Sequence, residues 1–321
     1  MAERTLLNTL IRSIFGALMA SSVLLLGACA QPEEPPREQQ EEQTDLGIPM
    51  SAPIAGPEPG DIKDINLPSG RSYLLSVPDD YNGDQQWPLV LAFHGWGETP
   101  LKFLQYSAFN EAEAIVAFPK GEDKAWAPAP YAETSADEDQ EFVEQVIDTL
   151  RATYSIDDSR IFATGMSNGG GFAAYLGCQM PETFNSIASI SAAYYHGIHE
   201  GCSNEPVGRL DIHGTDDPIV GYWGGKRHGR PYSSVESVLD RDAERNECSN
   251  QVATSRLANQ AIKQDWIGCA EPLEHIRIGG GRHIWPGGAH DASQEVGAWF
   301  ATDSVLDFFA IPGRPAGTPD V

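Results

Sequence analysis

Basic residues are scarce in this chain: 21 Lys and Arg stand against 46 Asp and Glu in 321 residues, a formal charge of -25. Nucleic-acid backbones are bound by neutralising cations, so this balance excludes nucleic acid as an expected partner, and it equally disfavours adhesion to anionic lipid through charge. Cysteine is sparse as well, with 5 in all and no C-x-x-C pair, which removes the usual zinc-ligand spacing. The run Gly279 to Gly281 lacks the Gly-Lys-Ser/Thr that would make it a phosphate loop. Asp137, Glu138, Asp139 and Glu141 form an acidic run without an ordered calcium-loop signature. They precede Phe142, Val143, Val146, Ile147 and Leu150, whose spacing marks one buried helix face, so the acids read as favourable charges at a helix start. His196 and His199 have no further ligand pattern around them and suit a loop. No metal and no cofactor is expected.

Only one long apolar run exists, Ile14 to Leu26, preceded by Arg4 and Arg12 and followed by Leu26-Gly27-Ala28-Cys29. That tetrapeptide resembles a bacterial lipobox, so residues 1–28 read as a signal peptide cut before a lipid-bearing Cys29 rather than as a structural membrane helix. Residues 29–60 are rich in Pro and Glu and read as a solvated tether, leaving 61–321 as one large folded domain. The expected location is extracytoplasmic, anchored to a membrane through lipid or secreted. The remaining Cys178, Cys202, Cys248 and Cys269 allow three pairings, and Cys178 with Cys202 and Cys248 with Cys269 is the one favoured.

What the sequence does contain is a G-x-S-x-G turn. Ile161 to Thr164 is strand-like, Gly165-Met166-Ser167-Asn168-Gly169 breaks it, and Phe172 to Cys178 suits a helix. Small flanking residues permit a tight strand-to-helix turn that lifts the serine hydroxyl clear, with the next backbone N–H and the helix dipole facing the same space. A serine is a weak nucleophile at neutral pH and needs a base, which in turn needs an acid to orient it. Arg209 to His213 is strand-like and runs into Gly214-Thr215-Asp216-Asp217-Pro218. Glu274 to Ile278 is another such strand, and it runs into a glycine- and proline-framed loop that carries His283. Ser167 as nucleophile, His283 as base and Asp217 as orienting acid follow, with Asp216 as the rival acid. His94 and His213 sit at strand ends before glycine, in structural positions. The strand Trp87 to Phe93 ends in His94-Gly95-Trp96-Gly97, so the oxyanion donors expected are the N–H of Asn168 and that of Trp96 or Gly95. Aromatic residues on loops after strands, Trp96, Tyr194, Tyr195, Trp223 and Trp285, are candidates for substrate contact, chiefly Trp285, Tyr194 and Trp223.

Five motifs in this order, Arg71 to Pro78, Phe93-His94-Gly95, Gly165 to Gly170, His213 to Pro218 and Gly281 to Gly287, resemble those of the secreted esterase family that includes polyhydroxybutyrate depolymerases and feruloyl esterases, related to carbohydrate esterase family 1. The resemblance spans Arg71 to Ala310 and implies an α/β-hydrolase fold with a mostly parallel central sheet and helices on both faces. It also implies hydrolysis of feruloyl or acetyl polysaccharide esters, or of polyhydroxyalkanoate-type polyesters, through an acyl-enzyme, and it favours Asp217 over Asp216. Trp96 stands where the family has a small residue, and Arg282 where it has glycine. Two alternatives remain: an acyltransferase using the same triad, and a catalytically silent surface binding protein. The sequence leaves the oligomeric state open.

Overall fold

Trp87–Phe93 is buried at all of its positions, the mark of a strand covered on both faces, and the sheet grows around it. The computed structural model describes residues 56–313. Cys29, the expected signal segment 1–28 and the expected tether as far as residue 55 lie outside the described residues. The strands are β1 (Ile62–Asn66), β2 (Ser72–Ser76), β3 (Trp87–Phe93), β4 (Ile115–Pro119), β5 (Ile156–Met166), β6 (Ser186–Ile190), β7 (Gly208–Gly214), β8 (Gly225–Arg227), β9 (Arg230–Tyr232), β10 (Val252–Arg256), β11 (Ala261–Trp266) and β12 (Leu273–Ile278). The helices are α1 (Pro100–Ser107), α2 (Ala136–Thr153), α3 (Asn168–Gln179), α4 (Val235–Arg245) and α5 (Phe300–Phe308).

One sheet runs in the order β1-β2-β4-β3-β5-β6-β7-β12-β11-β10. Its central strands from β4 to β12 pair in parallel, while β1 and β2 on one side and β11 and β10 on the other pair antiparallel. The alternating residues of β3 divide between two cores. Leu89, Leu91 and Phe93 join the side chains of α2, α3 and α4, whereas Val90 and Ala92 join those of α1 and α5. This is the α/β-hydrolase architecture, with helices on both faces and the crossovers that parallel strands require.

The acidic start of α2 is tied down by more than its dipole. Ser135 and Glu138 form a reciprocal capping box, and Phe142, Val143, Val146, Ile147 and Leu150 are buried as their spacing predicts. Asp139 is fully buried, and it accepts from Arg71, Thr134 and the Ala127 N–H. Cys178 is bonded to Cys202, tying the end of α3 to the segment after β6, and Cys248 is bonded to Cys269, closing a loop beside α4. β8 and β9 form a separate two-stranded hairpin.

Candidate functional site

β5 runs into Ser167, which takes φ 55° and ψ -116° before α3 begins. A non-glycine residue held at positive φ costs about 1–3 kcal/mol and persists only where its surroundings fix it. Here the fixing comes from close backbone approach. A Cβ on Gly165 would lie 2.5 Å from the carbonyl carbon of Gly169, and one on Gly169 would collide with the carbonyl of Phe93. The turn is therefore tight enough that only glycine fits on either side, and the serine stands at the head of a helix.

His283, on the loop after β12, places Nε2 3.0 Å from Ser167 Oγ and Nδ1 2.7 Å from Asp217 Oδ2. Asp217 lies on the loop after β7. Its Oδ1 accepts from the N–H groups of Ile219 and Val220, each at 2.8 Å. Burial by itself would raise the Asp217 pKa, but hydrogen bonds from His213, His283 and Val220 overcome this and hold it below the usual carboxylate range. Asp216 is exposed and accepts from the Thr215 hydroxyl, so it does not meet the imidazole.

The two strand-end histidines are occupied elsewhere. His94 Nε2 accepts the Gly121 N–H at 3.0 Å and Nδ1 lies 2.8 Å from the Gly95 carbonyl, a pairing that sets the neutral Nδ1–H form; burial also lowers its pKa. His213 Nε2 lies 2.9 Å from the Val220 carbonyl and 3.4 Å from Asp217 Oδ2.

Of the expected oxyanion donors, the Gly95 N–H is already engaged, donating to Glu98 Oε2 at 3.2 Å. The N–H groups of Asn168 and Trp96 carry no such bond among the described residues. The side chain of Asn168 has a task that the sequence did not signal: it accepts from the Trp126 N–H at 2.8 Å and donates to the Trp126 carbonyl at 2.9 Å. Trp126 in turn donates its indole N–H to the His94 carbonyl and stacks on Phe172 of α3, with centroids 5.1 Å apart. The loops on both sides of the serine are thus braced through one buried tryptophan.

A cleft of about 310 Å³ opens above Ser167 and His283. One wall is an aromatic cluster in which Trp96 packs on Tyr131, with His228 edge-on to both. Tyr195 and Val220 line the cleft too, as do two charged residues, Glu98 and Arg227. Of the loop aromatics expected from sequence, Trp96 and Tyr195 line the cleft, whereas Trp285, Tyr194 and Trp223 do not. Trp285 is buried among Phe103, Phe109 and Tyr106 and donates to Thr302, so it anchors the His283 loop from beneath. Tyr194 is buried with its hydroxyl between Arg209 and Asp211. Trp223 is exposed and packs on Tyr222, outside the residues that line the cleft. Tyr131, Glu98, Arg227 and His228 were missed. Tyr131 carried the same signal as the others, an aromatic residue in a loop beyond the carboxyl end of a strand.

A family model described as "Putative esterase" matches residues 67–263. "Probable feruloyl esterase C" of Aspergillus terreus is 27% identical over 259 residues, covering 77% of this chain and 86% of the relative. "Feruloyl esterase C" of Emericella nidulans is 26% identical over 269 residues, covering 81% and 91%. Among solved structures, an acetyl xylan esterase from Aspergillus awamori superposes with a TM-score of 0.58 at 14% identity, covering 78% of this chain and 99% of that one. At that identity the likeness is one of fold.

Proposed function

The chain belongs to the esterase family and is a carboxylic ester hydrolase of the α/β-hydrolase fold, and on that premise we propose that Ser167, His283 and Asp217 are its catalytic triad and that it cleaves feruloyl or acetyl esters carried on polysaccharide. The observation that carries this reading is the unbroken path from Ser167 Oγ through both nitrogens of His283 to Asp217 Oδ2, at 3.0 and 2.7 Å. His283 Nε2 takes the hydroxyl proton as Ser167 Oγ bonds to the ester carbonyl carbon. The Asp217 carboxylate fixes the Nδ1–H tautomer and stabilises the imidazolium. The negative oxygen of the tetrahedral intermediate faces the Asn168 N–H at the head of α3 and the Trp96 N–H on the loop after β3, fixed donors aimed at charge that develops only on reaction. The intermediate collapses, and His283 returns the proton to the departing alcohol. Water then attacks the acyl-enzyme by the same route and frees the acid and the serine.

The feruloyl preference is supported by the names of the relatives and by the Trp96–Tyr131–His228 wall, which offers a flat ring a stacking surface. The two disulfides support a site of action outside the cytoplasm. Anchoring through a lipid on Cys29 accords with the lipobox-like Leu26 to Cys29. The test is turnover of methyl ferulate, acetylated xylan and hydroxybutyrate oligomers by the wild type and by Ser167→Ala. Hydrolysis of the first two that disappears in the variant is the expected result. Preferred turnover of the hydroxybutyrate oligomers would overturn the substrate, and activity retained by the variant would overturn the triad.

A further inference from the structure

The β8–β9 hairpin runs against the electrostatic character of the whole chain. Lys226, Arg227 and Arg230 fall within five residues of one another, and no Asp or Glu occurs from 218 to 235, in a chain with 46 acids and 21 bases. Lys226 and Arg230 are exposed and Arg227 is partly buried. None of the three is paired with a carboxylate among the described residues.

The hairpin is held against the site. Tyr195, which lines the cleft, forms a β-bridge with Tyr232, and the Tyr232 hydroxyl accepts the Gly221 N–H at 2.9 Å. The Ser233 N–H donates to the Tyr194 carbonyl at 2.9 Å, while the tip residue His228 packs against Trp96 and Tyr131. These contacts fix Arg227 at the cleft. Burial raises the pKa of the Tyr131 and Tyr195 hydroxyls, and the charge of Arg227 opposes that rise at both, so its cationic field reaches into the site. Glu98 is the carboxylate among the cleft-lining residues, and it already accepts from Lys102, Tyr106 and the Gly95 N–H, leaving Arg227 uncompensated.

A fixed, unpaired guanidinium lining the same cleft as the nucleophile, with two further cations on its hairpin, suits an anion on the part of the substrate that lies at the cleft mouth. A planar guanidinium matches a carboxylate in two-point geometry. We propose that this hairpin is a carboxylate-recognition arm that selects ester substrates bearing a uronate-type carboxylate next to the esterified unit. The inference rests on the esterase reading of Ser167 and deepens its substrate class. Over distances beyond about 8 Å the chain's net negative charge is screened at physiological ionic strength, so the local arm governs a bound carboxylate.

The test compares kcat/KM for a feruloylated oligogalacturonide with that for the same oligosaccharide after its carboxyl groups have been reduced to alcohols. The wild type is expected to prefer the anionic ester. Arg227→Gln should lower the anionic-to-neutral ratio about fivefold, and Lys226→Gln with Arg230→Gln about twofold, in the range of partly exposed charge pairs. The wild-type ratio should also fall as ionic strength rises, an effect that damage to packing would not produce. A ratio that Arg227→Gln and salt both leave unchanged overturns the arm while the esterase reading stands. A wild type inert toward both esters, and toward 4-nitrophenyl acetate, removes the esterase reading and the arm with it.

Discussion

One carboxylate oxygen, Asp217 Oδ2, faces two imidazoles: His283 Nδ1 at 2.7 Å and His213 Nε2 at 3.4 Å. The nearer one completes the path to Ser167, and the farther one also donates to the Val220 carbonyl at 2.9 Å. His213 therefore braces the loop whose N–H groups hold the other oxygen of Asp217. In His213→Asn, kcat should drop about fivefold, the scale of one lost hydrogen bond. Asp217→Asn should drop it about 10⁴-fold, because the histidine is then held in the wrong tautomer. Steady-state kinetics on 4-nitrophenyl acetate separates the two, and equal losses would contradict the assigned division of roles.

The aromatic wall predicts selectivity. Trp96 is half exposed and packs on Tyr131 with centroids 4.7 Å apart. Trp96→Ala should raise KM for methyl ferulate about fivefold, the scale of one aromatic contact, while leaving KM for ethyl acetate, which carries no ring, within about twofold. Parallel increases for both esters would argue against ring recognition there.

A buried charge network beneath the site sets the response of stability to acid. Burial would raise the Asp211 pKa, but bonds and charges from His275, His213 and Arg209 hold it down to about 2, against an ordinary 3.8. A carboxyl depressed in the folded state contributes stability that is fully present above 3.8 and is lost as pH falls toward about 2. Asp217 is shifted in the same direction. The Tm should accordingly be insensitive to these two groups between pH 5 and about 7 and fall steeply below about pH 4. Calorimetry across that range is the check, and Asp211→Asn should flatten the acid limb at the cost of a lower Tm at neutral pH.

Reduction probes the disulfides. The bridged cysteines are separated by 24 and 21 residues, and loops of that size contribute about 3 kcal/mol each in the chain-entropy account. Denaturant midpoints should drop in strong reductant, and Cys248→Ser with Cys269→Ser should give part of that drop.

Much of the site was written locally in the chain. Gly165 to Gly169 signals a tight turn because its glycines have a steric reason, and Asp217 and His283 follow strands whose apolar alternation is plain. Side-chain direction was not legible. Tyr194 and Tyr195 are neighbours, yet one turns into the core to Arg209 and the other lines the cleft. Trp285 reads as a loop aromatic but fills the core, because the contacts that bury it come from α1, from Phe109 and from Thr302 of α5. The grip of Asn168 on Trp126 joins residues 42 apart in sequence, a separation that no local pattern reports. The edge strand β10 is exposed at every position, so it lacks the apolar alternation by which a strand is recognised.

The most direct measurement is peptide mapping after treatment with a fluorophosphonate. The account predicts one phosphonyl adduct per chain, on the peptide that contains Ser167, with labelling slowed by His283→Ala and absent in Ser167→Ala. An unlabelled wild type, or an adduct that persists on another residue in Ser167→Ala, would contradict it.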